Sequence, residues 1–292
     1  MGRETNKQRR ERQATTAREK AAAARAVQAR VDQRRRAKAI LSSVVAGAVV
    51  VALIVVFAIN SGGGNGGSSA RPIVQDAILN TVTGVSATDV DTIGQGGVST
   101  DAIKAINDPA LTKDGKPEVL FIGAEFCPYC AAERWAIVQA LSRFGTFSGL
   151  KQIRSSEDNL ATFSFYKSSY TSKYLSFNPI EYEDGSQNVL EQDSKAEDAL
   201  WKKYTGQGSF PFLYYGGKYV QTQVGFAVSD LSGKTWAQVA DDLKDPSSQL
   251  AKDIVGEANT ITAMLCKLTN GQPSSACSAS GVSGVTLPQP SA

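Results

Sequence analysis

The 292-residue sequence contains no histidine, two methionines and only four cysteines. Without histidine the chain has no Ser/His or Cys/His catalytic pair, no histidine-ligated zinc or haem, and no imidazole that titrates near neutral pH. Four cysteines in a chain of this length do not form the dense framework of a small disulfide-stapled domain. These absences leave cysteine as the side chain best suited to carry chemistry.

Positive charge is concentrated at the N-terminus. Residues 1–38 carry 13 Lys/Arg and 4 Asp/Glu, whereas residues 39–292 carry 18 and 24. The basic segment has no aromatic residue on which a base could stack and no nucleic-acid-binding motif, so we expect no nucleic-acid partner. Its expected roles are to set membrane topology and to lie against an anionic lipid surface.

An uncharged apolar stretch, Ile40–Ile59, follows directly. Its twenty residues, at a rise of 1.5 Å each, span the roughly 30 Å hydrocarbon core of a bilayer. A buried core helix and a cleaved signal peptide are the alternatives, but no convincing small-x-small cleavage site follows Phe57. We predict an uncleaved signal anchor. Because the basic residues abut it on one side, we expect a single-pass protein of the cell membrane, with a cytoplasmic N-terminus and an extracytoplasmic C-terminal domain.

Composition divides the chain into five segments. The predicted segments are a basic cytoplasmic arm (1–38), a transmembrane signal-anchor helix (39–60), a Gly/Ser linker (61–70), an exported domain (71–278) and a disordered tail (279–292). The tail is assigned from its small and polar residues.

A pair of cysteines stands between a predicted strand and a predicted helix. The apolar run 118–123 is typical of a strand buried on both faces, and residues 131–144 have the spacing of a helix. Cys127 and Cys130 therefore lie where a helix begins, and unpaired N–H groups and the helix dipole stabilise a thiolate there. We predict that Cys127 is the nucleophile and that Cys130 resolves the mixed disulfide it forms.

Two other interpretations of these cysteines remain open. Zinc would need Cys127, Cys130, Cys266 and Cys277 together, and the last two have ten residues between them instead of the usual two to four. A static disulfide between Cys127 and Cys130 is the other alternative. We expect no metal and no cofactor. Cys266 and Cys277 are predicted to form a structural disulfide that clips the tail to the last helix, with an electron relay to the first pair as the alternative.

Other segments carry structural signals without chemistry. Residues 74–85, 235–243 and 249–268 have helical periodicity, and residues 196–204 resemble a helix. Residues 163–177 are dense in aromatics, which favours strands packed on the core over an open aromatic groove.

The FCPYC motif (126–130) after a buried strand, followed by Ser209–Leu213 and the hairpin-like Tyr214–Tyr219, resembles the thioredoxin-like superfamily. This resemblance implies an α/β thioredoxin-like fold, a central mixed sheet flanked by helices, with an insertion at about 156–206. It also implies that Pro211 is a cis-proline facing the cysteines and that Phe210 contacts the substrate. More closely, residues 74–277 are similar to a domain-of-unknown-function family of thioredoxin-like proteins in archaea and actinobacteria, often with one N-terminal membrane helix.

One departure from thioredoxin concerns proton transfer. Phe121 occupies the position of the acid that many thioredoxins bury six residues before the nucleophile. Glu125 is the nearest candidate for proton transfer, although both Glu125 and Glu133 could simply be solvated.

The resemblance and the cysteine pair together predict a membrane-anchored extracytoplasmic thiol-disulfide oxidoreductase. Its expected partners are thiols or disulfides of exported proteins and a membrane or extracytoplasmic redox partner. The alternative is a non-catalytic accessory or assembly subunit of a larger membrane complex, such as a respiratory-chain assembly.

Overall fold

The computed structural model describes residues 72–290. The predicted basic arm, signal-anchor helix and linker, residues 1–70, lie outside this range. No helix within residues 72–290 is both long enough and apolar enough to cross a membrane.

Strands dominate the middle of the described chain and helices its two ends. The helices are α1 (Asp76–Thr83), α2 (Ala87–Ile93), α3 (Pro128–Ser142), α4 (Lys195–Thr205), α5 (Trp236–Asp242), α6 (Gln249–Leu268), α7 (Ser274–Cys277) and α8 (Ser280–Ser283), with a 3₁₀ turn at Val228–Leu231. The strands are β1 (Ile103–Ala105), β2 (Thr112–Lys113), β3 (Lys116–Gly123), β4 (Gly145–Ser148), β5 (Lys151–Arg154), β6 (Ala161–Ser164), β7 (Ser169–Ser172), β8 (Ser176–Glu181), β9 (Phe212–Tyr215) and β10 (Tyr219–Gln221).

A central mixed sheet organises the domain. Its strands follow the order β1-β10-β9-β3-β2, and β8 also pairs with β3. Strand β3 is parallel to β8 and antiparallel to β9. Parallel neighbours require a crossover connection, which here contains α3. The sheet flanked by helices is the mixed α/β arrangement that the sequence predicted.

Strand β3 is buried on both faces of the sheet. Val119 and Phe121 belong to the large core that includes α3 and α6. Leu120 and Ile122 pack in a second core with Trp201 of α4. The side chains of a strand alternate between its faces, so a strand covered by helices on both sides needs a continuous apolar run. The prediction of a central buried strand at 118–123 is confirmed.

The strands outside the central sheet do not lie in the residue range that was predicted for the insertion. We expected the insertion at about 156–206, but this range includes β8, which pairs with β3, and α4, whose Trp201 packs on the sheet. The segment that adds strands outside the central sheet is 145–172, where β4 pairs with β7 and β5 with β6. Aromatic and charged composition does not distinguish an edge ribbon from a sheet strand, so the boundaries were misplaced.

The aromatic segment 163–177 packs inward. The Trp135 and Phe163 ring centroids are 4.4 Å apart, and those of Phe165 and Phe177 are 5.1 Å apart. Phe163 and Phe165 are fully or nearly fully buried. The structure therefore favours strand packing over an open groove, as the sequence predicted.

The predicted disordered tail is ordered through much of its length. Gly281 lies against α2, where an added Cβ would collide with the Val90 carbonyl oxygen, and its N–H donates to Asp91 Oδ1 at 2.9 Å. Val282 and Leu287 are buried at 2% and 8% exposure. Small residues, which we interpreted as disorder, here allow close contact between α8 and α2. The tail prediction was wrong for residues 280–287.

Candidate functional site

The cysteine pair lies at the start of α3, directly after the buried strand β3. Pro128 occupies the first helical turn, where its missing N–H needs no partner. Cys127 is the N-cap residue, and its sulfur accepts a hydrogen bond from the Cys130 N–H at 3.3 Å. The Cys127 sulfur therefore occupies the place that a capping oxygen holds in other helices. Both cysteines are free thiols in the structure.

The two thiols differ in their acidity. Hydrogen bonding from the Cys130 thiol is the main cause that lowers the pKa of Cys127 to about 7, and it acts against burial. The pKa of Cys127 is lowered further by the backbone N–H groups of Cys130 and Tyr129 and by the charge of Arg134. Burial raises the pKa of the fully enclosed Cys130 well above its ordinary value. The thiolate at neutral pH is therefore on Cys127, the predicted nucleophile.

Access to the Cys127 sulfur is narrow. Cys127 is 5% exposed, whereas the neighbouring Tyr129 is 52% exposed. The Cys127 side chain is therefore nearly enclosed, next to an exposed residue of the same helical turn.

The loop that precedes β9 lies beside the segment that leads into α3. The Phe210–Pro211 peptide bond is cis. Ile122 pairs with Phe212, so Pro211 is placed next to the end of β3, from which the chain continues to Cys127. The Phe210 and Phe126 rings meet edge to face with centroids 6.1 Å apart, and Phe210 stacks on Trp201 at 5.0 Å. The structure thus places Phe210 against Phe126, the residue before Cys127, and Pro211 next to the end of β3.

Glu125 and Glu133 are both buried, contrary to the alternative that they are solvated. Glu125 is 3% exposed, and its carboxylate accepts a hydrogen bond from the Ser164 hydroxyl at 2.6 Å. Glu133 is fully buried one turn beyond Cys130. Helix α3 is enclosed on nearly every side, so its polar residues have no solvent face.

Glu133 belongs to a buried network that sequence reasoning missed. Gln221 donates to Glu133 at 3.2 Å and to Glu257 at 2.6 Å, and it accepts from the Tyr215 hydroxyl at 2.9 Å. Burial, with the charge of Glu257, raises the pKa of Glu133 well above its ordinary range. Burial raises the pKa of Glu257 to about 8. Near neutral pH the carboxyl groups of Glu133 and Glu257 are therefore protonated more readily than ordinary carboxyl groups.

A second buried pair, Arg134 and Glu181, was also missed. The Arg134 Nε and Nη2 atoms donate to the two carboxylate oxygens of Glu181 at 2.9 and 2.6 Å, and both side chains are fully buried. Charged residues are rarely enclosed unless they are paired, and the partners are 47 residues apart in sequence. The one available signal was Arg134 itself, placed among the apolar residues of α3.

The other two cysteines are joined away from this helix start. Cys266 at the end of α6 and Cys277 at the end of α7 form a disulfide with a Cα–Cα distance of 5.6 Å. In the part of the chain that the structure describes, no group of three or more cysteine, aspartate or glutamate side chains is arranged to hold a metal ion.

Fold and site together define a mixed α/β domain that presents a dithiol at a helix start. The family model for the Domain of unknown function (DUF929) matches residues 103–267, more than half of the chain. The chain belongs to this family. No curated protein and no solved structure matches it.

Proposed function

We propose that this chain is a membrane-anchored extracytoplasmic thiol-disulfide oxidoreductase with a thioredoxin-like fold. The observation that carries the proposal is the position of the Cys127 sulfur at the N-cap of α3, with a pKa near 7 and a buried thiol three residues away. A thiolate at neutral pH with an adjacent resolving thiol is the arrangement that thiol-disulfide exchange requires.

The order of the core elements supports the thioredoxin-like assignment. Strand β3, helix α3 and the parallel strand β8 are followed by α4, the antiparallel strands β9 and β10, and a C-terminal helix α6. The dithiol begins the first of these helices, and the cis Phe210–Pro211 peptide lies before β9. In the thioredoxin-like superfamily that the sequence motifs resemble, these are the places of the active-site cysteines and the cis-proline. The ribbons of residues 145–172 are the addition to this core.

The exchange reaction proceeds in two displacements. The Cys127 thiolate attacks one sulfur of a substrate disulfide, which forms a mixed disulfide and expels the other substrate sulfur as a thiolate. Cys130 then gives up its proton, which that thiolate can accept, and attacks the Cys127 sulfur. A Cys127–Cys130 disulfide forms, and the substrate sulfur that was bound to Cys127 leaves as a thiolate, which takes up a proton from water. Two electrons pass to the substrate, and the reverse sequence oxidises a substrate dithiol.

The surroundings of Cys127 support a polypeptide substrate. Tyr129 is exposed, and Phe126 and Phe210, which contact each other directly before Cys127, are partly exposed. Aromatic rings provide large apolar contact area, and the backbone of Phe210 is the part that the resemblance assigns to the substrate chain. We propose cysteines of exported proteins as substrates, together with a membrane or extracytoplasmic redox partner.

The location rests on the sequence. The apolar segment 39–60 after the basic arm 1–38 supports one membrane helix with the described domain outside. A disulfide between Cys266 and Cys277 in that domain agrees with an oxidising compartment.

Trapping of mixed disulfides tests the proposal. We expect Cys130→Ser, expressed as the full chain, to accumulate mixed disulfides with exported proteins that reducing agent releases, because the resolving thiol is absent. Cys127→Ser is the matched control and should trap none. The opposite outcome is that neither variant traps a disulfide and that a stoichiometric companion complex co-purifies equally with Cys127→Ser. This result would overturn the proposed oxidoreductase and favour the non-catalytic accessory or assembly subunit.

A further inference from the structure

Arg134 is the positively charged residue closest in sequence to the dithiol, and it lies on the same helix, α3. It follows Cys130 by four positions, so the two side chains emerge from the same face of the helix, one turn apart. Both are fully buried. A positive charge enclosed beside a thiol acts through a medium of lower dielectric than water, so its effect on the thiol is stronger than at a surface.

The Ala124 peptide connects the guanidinium to the cysteine. The Ala124 carbonyl oxygen accepts a hydrogen bond from Arg134 Nη2 at 2.9 Å. Burial raises the pKa of Cys130, and hydrogen bonding by the Ala124 backbone acts in the opposite direction. One residue of backbone therefore contacts both groups, which fixes Arg134 near the dithiol without a direct bond between them.

Glu181 holds only part of the guanidinium. Its carboxylate binds Arg134 Nε and Nη2 and also accepts from the Phe165 N–H at 3.0 Å. Arg134 Nη1 is buried and has no hydrogen-bond partner in the described residues. Leaving a buried donor unsatisfied is costly, so a purely structural pair would be expected to satisfy it. An unsatisfied N–H of a buried cation is a source of positive potential for a neighbouring anion.

We propose that the Arg134–Glu181 pair sets the redox potential of the Cys127–Cys130 dithiol. Arg134 is a positioning residue whose charge stabilises the reduced, partly ionised pair, and Glu181 limits that stabilisation. The inference rests on the proposed function. The equilibrium that measures this potential is the reduction of the protein disulfide by glutathione. The protein disulfide and two molecules of reduced glutathione give the protein dithiol and glutathione disulfide, and two electrons pass to the protein.

The two members of the pair have opposite predicted effects. Arg134→Met removes the charge that favours the reduced form, so we expect the equilibrium constant for reduction to fall about tenfold, equivalent to about 30 mV. Glu181→Gln leaves the guanidinium less neutralised, so the constant should rise, by a smaller factor of about threefold because Glu181 is not among the largest influences on either cysteine. Arg134→Lys keeps the charge and should remain within about threefold of the wild type. General loosening of the structure would not move the two single variants in opposite directions.

A double variant protects the test against misfolding. Breaking one half of a buried ion pair destabilises a protein strongly, whereas replacing both halves by apolar residues is often tolerated. We therefore include Arg134→Met/Glu181→Leu. Arg134 is among the largest influences on both cysteines and Glu181 is not, so loss of Arg134 should dominate in the double variant, whose constant should fall, but by less than in Arg134→Met.

The measurement uses the purified full chain, equilibrated in glutathione buffers of graded ratio at pH 7, quenched with acid and counted for free thiols. The expected shifts would support the proposal. Folded variants with the wild-type constant, the double variant included, would overturn this inference and leave the proposed function intact. A wild-type dithiol that never equilibrates with glutathione would overturn both.

Discussion

The lowered pKa of Cys127 predicts how the rate of its alkylation depends on pH. The pKa is lowered from 9.0 to about 7, and the largest of several causes is the hydrogen bond from the Cys130 thiol. We expect the rate of iodoacetamide reaction at Cys127 to reach half its maximum near pH 7, because the thiolate is the reacting species. The burial of Cys127 lowers the rate by the same factor at every pH, so it does not change the pH of this midpoint.

The magnitude at pH 7 follows from two opposing factors. A pKa of 7 in place of 9.0 raises the thiolate fraction from about 1% to about one half, roughly a fiftyfold gain. A more acidic thiol is a weaker nucleophile, and over two pKa units a Brønsted coefficient of 0.4–0.5 costs about six- to tenfold. The expected net increase in rate is therefore about five- to eightfold over an unperturbed thiol of the same accessibility.

Substitution of Cys130 separates the causes. Cys130→Ser keeps a hydroxyl donor beside the sulfur, so its midpoint should stay near pH 7, whereas Cys130→Ala loses the donor and its midpoint should rise. Mass spectrometry after each time point identifies the alkylated residue, and Cys127→Ser is the blank. A midpoint near pH 9 in the wild type, or faster labelling of Cys130 than of Cys127, would refute the reasoning.

Two further predictions concern stability. Replacing both Cys266 and Cys277 by alanine should lower the free energy of unfolding in urea by about 3 kcal/mol, because a closed loop of this size restricts the unfolded chain, while glutathione exchange at Cys127 continues. Loss of exchange in a folded variant would contradict the separate roles of the two pairs. The pKa of Glu257 is raised to about 8, so its protonated form contributes stability that is complete below pH 4.5 and is lost as the pH rises through 8. Glu257→Gln should flatten the fall of the urea midpoint between pH 5 and 8, and the exposed Asp241→Asn, the control, should not.

Local patterns predicted the part of the fold that local forces determine. The apolar run 118–123 identified β3, and the helical spacing of 131–144, 235–243 and 249–268 identified α3, α5 and α6. The position of Cys127 at a helix start follows from these two neighbours alone. Each such signal lies within about twenty residues, where periodicity reports which side is buried.

The partners of buried polar groups could not be predicted in the same way. Gln221 is 88 residues from Glu133 and 36 from Glu257. Nothing in the neighbourhood of any of these residues indicates that they meet. The same limit explains the misplaced insertion and the wrongly assigned tail, because pairing of β8 with β3 and contact of Gly281 with Val90 join distant segments.

The sequence by itself determined that a dithiol stands between a buried strand and a helix, and which of its sulfurs caps that helix. Only the tertiary structure decided what surrounds the dithiol: Phe210 against Phe126, and the enclosed Arg134–Glu181 pair. The physical reason is the range of the forces. Helix capping and strand burial act between near neighbours in the chain, whereas the electrostatic environment of a thiol depends on every charge that folding encloses around it.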